Sequence, residues 1–247
     1  VVTALSAGAS DMSGWMLLGV PGALYATGVA NVWMIAGLIV GAYCNYLFLA
    51  KRLRVYTEVA SDSITIPDFL ENRFKDRTKI LRIISGLIIL IFFTLYVSSG
   101  IIAGGKTFES FFGLKFAYGA VFTLIIVVFY TFFGGFKAVS ITDAFQGLLM
   151  FCVLVSIPVV AYLNLDLPSD TNLIKEISRL DANHLNPFRD QTFWGILGLL
   201  AWGFGYFGQP HIIVRFMAIR DSKELAKARR IGIGWMTIGL LGAIMSG

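Results

Sequence analysis

SAGASDMSGW, residues 6–15, places an aspartate, three serines and two glycines at the head of a 39-residue run, Met12 to Ala50, that contains no charged side chain. An ionisable group at membrane depth is costly, so Asp11 reads as a functional residue rather than a packing one. Gly8 and Gly14 disfavour a continuous helix, and Ser10, Asp11 and Ser13 can bond local backbone groups instead. The expectation is a helix unwound over this stretch, its freed carbonyls and hydroxyls holding a cation. The competing reading is a packed helix whose small residues face a neighbour, although packing alone has no use for Asp11.

Outward from that stretch the whole chain has membrane character. Hydrophobic residues make up 57% and charged residues 14%, with a mean hydropathy of +0.76, against roughly 25% charged residues in soluble domains. Further uncharged runs cover Ile83 to Gly105, Phe116 to Phe136, Ala144 to Leu165, Gln191 to Val214 and Ile231 to Gly247. At about 20 apolar residues per crossing these give about seven transmembrane helices, once the first run is divided near Gly28 and Asn31. Strands of about 10 alternating residues, the mark of a barrel, are not the pattern here. The chain starts without Met and both ends fall inside apolar stretches, so it reads as a fragment in which no signal peptide can be judged.

Assigning the connections alternately to the two sides puts fifteen Lys and Arg on one side, Arg215 to Arg230 among them, and five on the other. The richer side is cytoplasmic by the positive-inside rule. The net charge of +5 is thus a topology signal, compatible with anionic lipid headgroups. Nucleic acid is not expected, because no aromatic platform interleaves the basic loops.

Several local features follow along the chain. Gly37 and Gly41, and again Gly100 and Gly104, have the spacing that lets helices approach closely. In TIPDFLENRF, residues 65–74, Pro67 suits a first helical turn and Asp68 its positive end, predicting a short surface helix. FGGFKAVSITDAFQ, residues 133–146, combines a two-glycine turn with Asp143, which either favours the start of the next helix or joins an ion pathway. Asp170 to Leu180 predicts a short helix in the outer loop. Cys44 and Cys152 read as buried small hydrophobes, and His184 and His211 as structural, since neither pair has metal-site spacing.

GFGYFGQPH, residues 203–211, puts three glycines and a proline into a span and predicts a second broken helix. The two interrupted spans are five apart and cross in opposite directions, the arrangement of inverted-repeat transporters, where half-helix ends hold a carboxylate and unwound carbonyls hold Na⁺. Trp202 and Tyr206, four apart, are expected on one helical face beside the break, where they could wall a pocket.

Taken together, SAGASDMSGW, TIPDFLENRF, GGFKAVSITDAFQ and WGFGYFGQPHI resemble the sodium/solute symporter family, and within it most closely the members that carry proline. The resemblance implies an all-α membrane protein with a partial inverted-repeat, five-plus-five helix, LeuT-like transporter core. It implies one transporter domain over 1–247, with the first repeat at about 1–163 and the second beginning at about 191–247. Ala9 and Met12 would offer backbone carbonyls to Na⁺. Asp11 would serve sodium-dependent transport, Ser13 and Gly14 would shape sodium and proline affinity, and Asp143 would contribute to ion coupling. Trp202, Tyr206 and Pro210 would line the proline pocket with Gln209 beside them. Na⁺ would be the coupling ion with no other cofactor, and the protein would sit in the cytoplasmic membrane. Hydroxyl residues that complete the family's sodium site would lie beyond Gly247, and an important arginine upstream of Val1.

Three other readings compete. The same mechanism could serve another solute, such as pantothenate or a sugar. An intramembrane aspartyl protease would pair Asp11 with Asp143, although Ser10 and Thr142 precede them where such enzymes carry other residues. A transporter-like sensor would carry a fused signalling module.

Overall fold

The computed structural model describes residues 2–165 and 173–247, the side chains of Ser13 and Leu180 apart, and among them every regular element is a helix. The chain opens with α1 (Val2–Gly14), a π-helical turn (Trp15–Gly19) and α2 (Val20–Thr27), which follow one another without interruption. Residues 6–15 are therefore helical throughout, contrary to the expected unwinding. Packing outweighs propensity here: Gly8 lies against the Trp235 ring, and Gly147 lies against Ala9. The small residues thus admit close neighbours. The irregularity instead falls just downstream. Pro21 sits in the first turn of α2, where it has no N–H for the carbonyl one turn back, and the widened i→i+5 turn lies immediately before it.

Gly28, with φ +74 and ψ −168, ends α2. A 3-10 turn (Gly28–Asn31) leads to α3 (Val32–Cys44), a second π turn (Asn45–Ala50) and α4 (Lys51–Val59). Next comes α5 (Ile66–Phe74), the surface helix expected from its sequence, with the Thr65 hydroxyl accepting the Asp68 N–H and Pro67 in the first turn. Arg82 ties it to α6 (Ile80–Phe112) through Asp68 at 2.9 Å and Glu71 at 3.1 Å. The long helix α7 (Phe116–Leu163) is broken at Gly135, where φ is 54 and ψ −157, within the expected two-glycine turn.

Among the described residues three helical stretches are long and apolar enough to cross a bilayer: Trp15–Val59, Ile80–Phe112 and Phe116–Leu163. The apolar window of α6 has none of its residues buried within the chain. Lipid tails are as apolar as leucine, so such a surface needs no protein cover. For the same reason Cys152 is exposed and Cys44 half-buried, neither of them the buried residue expected.

The remaining elements are α8 (Leu173–Leu180), α9 (Phe193–Leu200), a 3-10 helix (Ala201–Phe207), α10 (Pro210–Met217), a 3-10 turn (Ser222–Glu224) and α11 (Leu225–Ser246). Residues 170–172 of the expected outer helix lie outside the described residues. Its following loop docks on the end of the first hairpin: the Val29 N–H donates to the His184 carbonyl at 2.8 Å, and the Trp33 indole donates to the Pro187 carbonyl at 2.9 Å.

The break expected in GFGYFGQPH is present. After the 3-10 helix comes a turn at Gly208, then Gln209 in extended conformation, and Pro210 opens α10. Gly37 and Gly41 of α3 meet the backbone of Leu200 and Gly203, leaving no room for a Cβ. Gly104 likewise meets Thr123, whereas Gly100 faces open space and makes no such contact. The core gathers around α1, which packs on α7, α10 and α11, with Met12, Met16, Leu154, Phe216 and Leu240 fully enclosed.

Candidate functional site

Asp11 points into the bundle. Its Oδ2 accepts a hydrogen bond from the Tyr206 hydroxyl at 2.8 Å, and its Oδ1 lies 3.6 Å from His211 Nε2, beyond hydrogen-bond reach. Both nitrogens of His211 are buried without a hydrogen-bond partner. Its ring packs against Tyr96, at 5.1 Å, and Phe93, at 5.3 Å, both from α6. The Tyr96 hydroxyl donates in turn to the Ser10 carbonyl at 2.7 Å. One carboxylate thus sits where α1, α6 and the broken helix converge.

Tyr206 reaches Asp11 because residues 201–207 coil as a 3-10 helix. With three residues per turn, positions four apart diverge by about 120°. Tyr206 is buried, while Trp202 is 55% exposed and stacks on Trp15 with 6.3 Å between ring centroids. The expected common face of Trp202 and Tyr206 is therefore absent, because it assumed α-helical spacing. Gln209 stands at the break with its Oε1 buried and unpartnered, next to Pro210 at the head of α10.

A second cluster lies on the other side of His211. Arg215, 4% exposed, donates from Nη2 to Asp143 Oδ2 at 2.6 Å, from Nε to the Ser6 hydroxyl at 2.7 Å, and from Nη1 to the His211 carbonyl. The Ser6 hydroxyl donates to the same Asp143 oxygen at 2.9 Å. Arg215 is thus a buried charge, unlike the exposed Arg220 that follows it. The helix continues past Val214 to Met217, and Arg215 sits one turn after His211, on the same side. The signal was there in IIVRFM, residues 212–217: a lone cation inside an apolar helix needs a buried partner. Asp143 is that partner.

Asp11 and Asp143 each have their own partner, so they do not form the proton-sharing pair of an aspartyl protease. Ala9 and Met12 lie within α1, where carbonyls serve the helical ladder; their carbonyls are not freed in this conformation. Gly14 borders α6 at Ala103. The Ser13 side chain lies outside the described residues. Among the described residues no group of three or more His, Cys, Asp or Glu gathers in metal-binding fashion. A hard cation here would draw on a single carboxylate with hydroxyl, amide and carbonyl oxygens.

The model of the Sodium:solute symporter family matches residues 1–247. The chain belongs to this family. Among curated relatives, sodium/proline symporters of Staphylococcus aureus, including those of strains JH9 and NCTC 8325, are 55% identical to it over 246 residues. The match takes in 100% of this chain and 48% of each of those proteins, so the chain spans about half the length of the curated relatives it matches. No solved structure matches it. Membership in this family, with the long apolar helices, makes the chain part of a multi-pass membrane protein.

Proposed function

We propose that this chain is part of a sodium-coupled symporter that carries proline across the cytoplasmic membrane by alternating access. The observation that carries the reading is the Asp11–Tyr206 hydrogen bond, 2.8 Å long, which joins an intramembrane carboxylate to a broken helix. The identity to proteins named sodium/proline symporters supports the choice of solute.

In this reading the chain crosses the bilayer seven times: once on each side of Gly28, once in α6, once on each side of Gly135, once through the broken helix and once in α11. It forms a single domain over 1–247, with the first repeat of a five-plus-five, LeuT-like core at about 1–163 and the start of the second at about 191–247. Residues 37–41 and 200–203 pair in the same chain direction, which supports an odd number of crossings between them, three in this reading.

Na⁺ and proline are cargo of the site. Asp11 supplies charge for Na⁺, with Ser13 and Gly14 shaping the surroundings. The Ala9 and Met12 carbonyls become ligands in a state where the α1 ladder opens, a local change next to an existing π turn. Gln209 and Pro210 stand at the half-helix N-terminus suited to a carboxylate, while Tyr206 and Trp202 bound the ring from different sides. Asp143, through Arg215, ties the coupling region to α10. Sodium drives uptake because it favours the state that binds proline, a preference without which no equilibrium would move.

The test is uptake of proline, pantothenate and a hexose by membranes containing the full-length protein, with and without a sodium gradient. Sodium-driven proline uptake that Asp11→Asn abolishes is the expected result. Equal sodium dependence in both proteins removes Asp11 from the mechanism, and uptake of another solute alone reassigns the cargo.

A further inference from the structure

We propose that Asn45 is a positioning residue for the Asp11 site, its amide supplying to the Tyr206 carbonyl the donor that Pro210 lacks. In an α-helix the carbonyl of Tyr206 would accept the N–H of the fourth residue onward. That residue is Pro210, which has none. Asn45, 1% exposed, fills the place: its Nδ2 donates to the Tyr206 carbonyl at 2.9 Å. The other end of the same tyrosine holds Asp11.

The reach of so short a side chain has a geometric basis. Gly37, Gly41 and Asn45 are spaced by four on α3 and share one face. They meet Leu200, Gly203 and Tyr206 in order, and these are spaced by three. Four residues of α-helix rise about 6 Å, and three residues of 3-10 helix also rise about 6 Å. The two helices are therefore in register only while residues 201–207 keep the tighter coil. Two glycines bring the backbones together and Asn45, at the first position of a π turn, closes the row with a hydrogen bond. Losing that bond releases the register, and with it the orientation of the Tyr206 hydroxyl toward Asp11.

The inference rests on the proposed sodium site for its consequence and on the register alone for its cause, so two readouts separate them. Hydrogen exchange over residues 201–208 of the full-length protein reads the register whether or not proline is carried. Asn45→Ala and the isosteric Asn45→Asp are expected to speed exchange there, and Asn45→Ser, which keeps a donor, to fall between. In uptake, the sodium concentration for half-maximal transport should rise about tenfold in Asn45→Ala, the loss of one buried hydrogen bond, with a smaller change in maximal rate. Unchanged exchange and unchanged half-saturation in Asn45→Ala overturn the inference. So does absence of all three variants from the membrane, which makes Asn45 a folding residue. Failure of the unmodified protein to take up proline with sodium overturns the proposed function and leaves the exchange result to decide this one.

Discussion

Arg215 and Asp143 close a buried ion pair, 2.6 Å between Nη2 and Oδ2, that joins α10 to the second half of α7. The two side chains are only 5% and 13% exposed, so the attraction is weakly screened and the desolvation cost is high. Asp143→Ala would strand the guanidinium and is expected to destabilise the protein by about 3 to 5 kcal/mol. Replacing both, Asp143→Leu with Arg215→Met, should recover most of that loss. Thermal unfolding of the two variants and the unmodified protein in detergent checks it; equal loss in the single and the double variant would show the pair to be electrostatically idle.

Tyr206→Phe keeps the ring and removes the hydroxyl that Asp11 accepts from. A hydrogen bond to a charged group contributes about 1.5 to 3 kcal/mol, which predicts a rise of about tenfold or more in half-saturating sodium. Trp202→Phe should leave sodium dependence near its original value, since Trp202 stacks on Trp15 and not on Asp11. Sodium titrations of uptake in the two variants distinguish them.

Gly28 and Gly135 hold the same glycine-favouring backbone region, φ 74 with ψ −168 and φ 54 with ψ −157. Gly135 has open space where a Cβ would sit, whereas at Gly28 it would collide with the backbone of His184. Gly135→Ala is expected to cost about 1 to 3 kcal/mol from backbone strain alone. Gly28→Ala should cost more and detach the outer loop, measurable as faster hydrogen exchange at Val29.

The outer loop carries a pH dependence of its own. The Asn183 backbone N–H, with the Arg189 guanidinium, holds the Asp181 carboxyl below its ordinary value of 3.8. A lowered folded value means the unfolded loop binds the proton more readily. The stabilisation is fully present above the ordinary value and is lost as pH falls through the lowered one. Protection of the Val29 amide should accordingly be flat from neutrality down to about pH 5 and weaken in stronger acid, and Asp181→Asn should remove the acid limb.

Much of this was legible from residue order. The uncharged runs gave the long helices, TIPDFLENRF gave the capped surface helix, and Gly and Pro in GFGYFGQPH gave the broken span, because each depends on local chemistry. The state of SAGASDMSGW was not legible. Its glycines suit an unwound segment and a close helix contact equally well, and the Trp235 ring against Gly8 decides. Arg215 was hidden for a related reason: next to further basic residues it looks like loop charge, and only the fold brings Asp143 to it. Trp202 and Tyr206 were misplaced because a four-residue spacing has a different meaning on a 3-10 helix.

The glycine seam between α3 and the tight coil has a mechanical consequence. Backbones this close cannot slide past one another without peptide groups colliding, so any rocking of the bundle must carry the two as one lever. The joint of that lever then falls at Gly208 and Gln209, where helical order stops. The buried, unpartnered Gln209 oxygen thus sits on the pivot itself, the point where a bound cation would move least and bias the swing most.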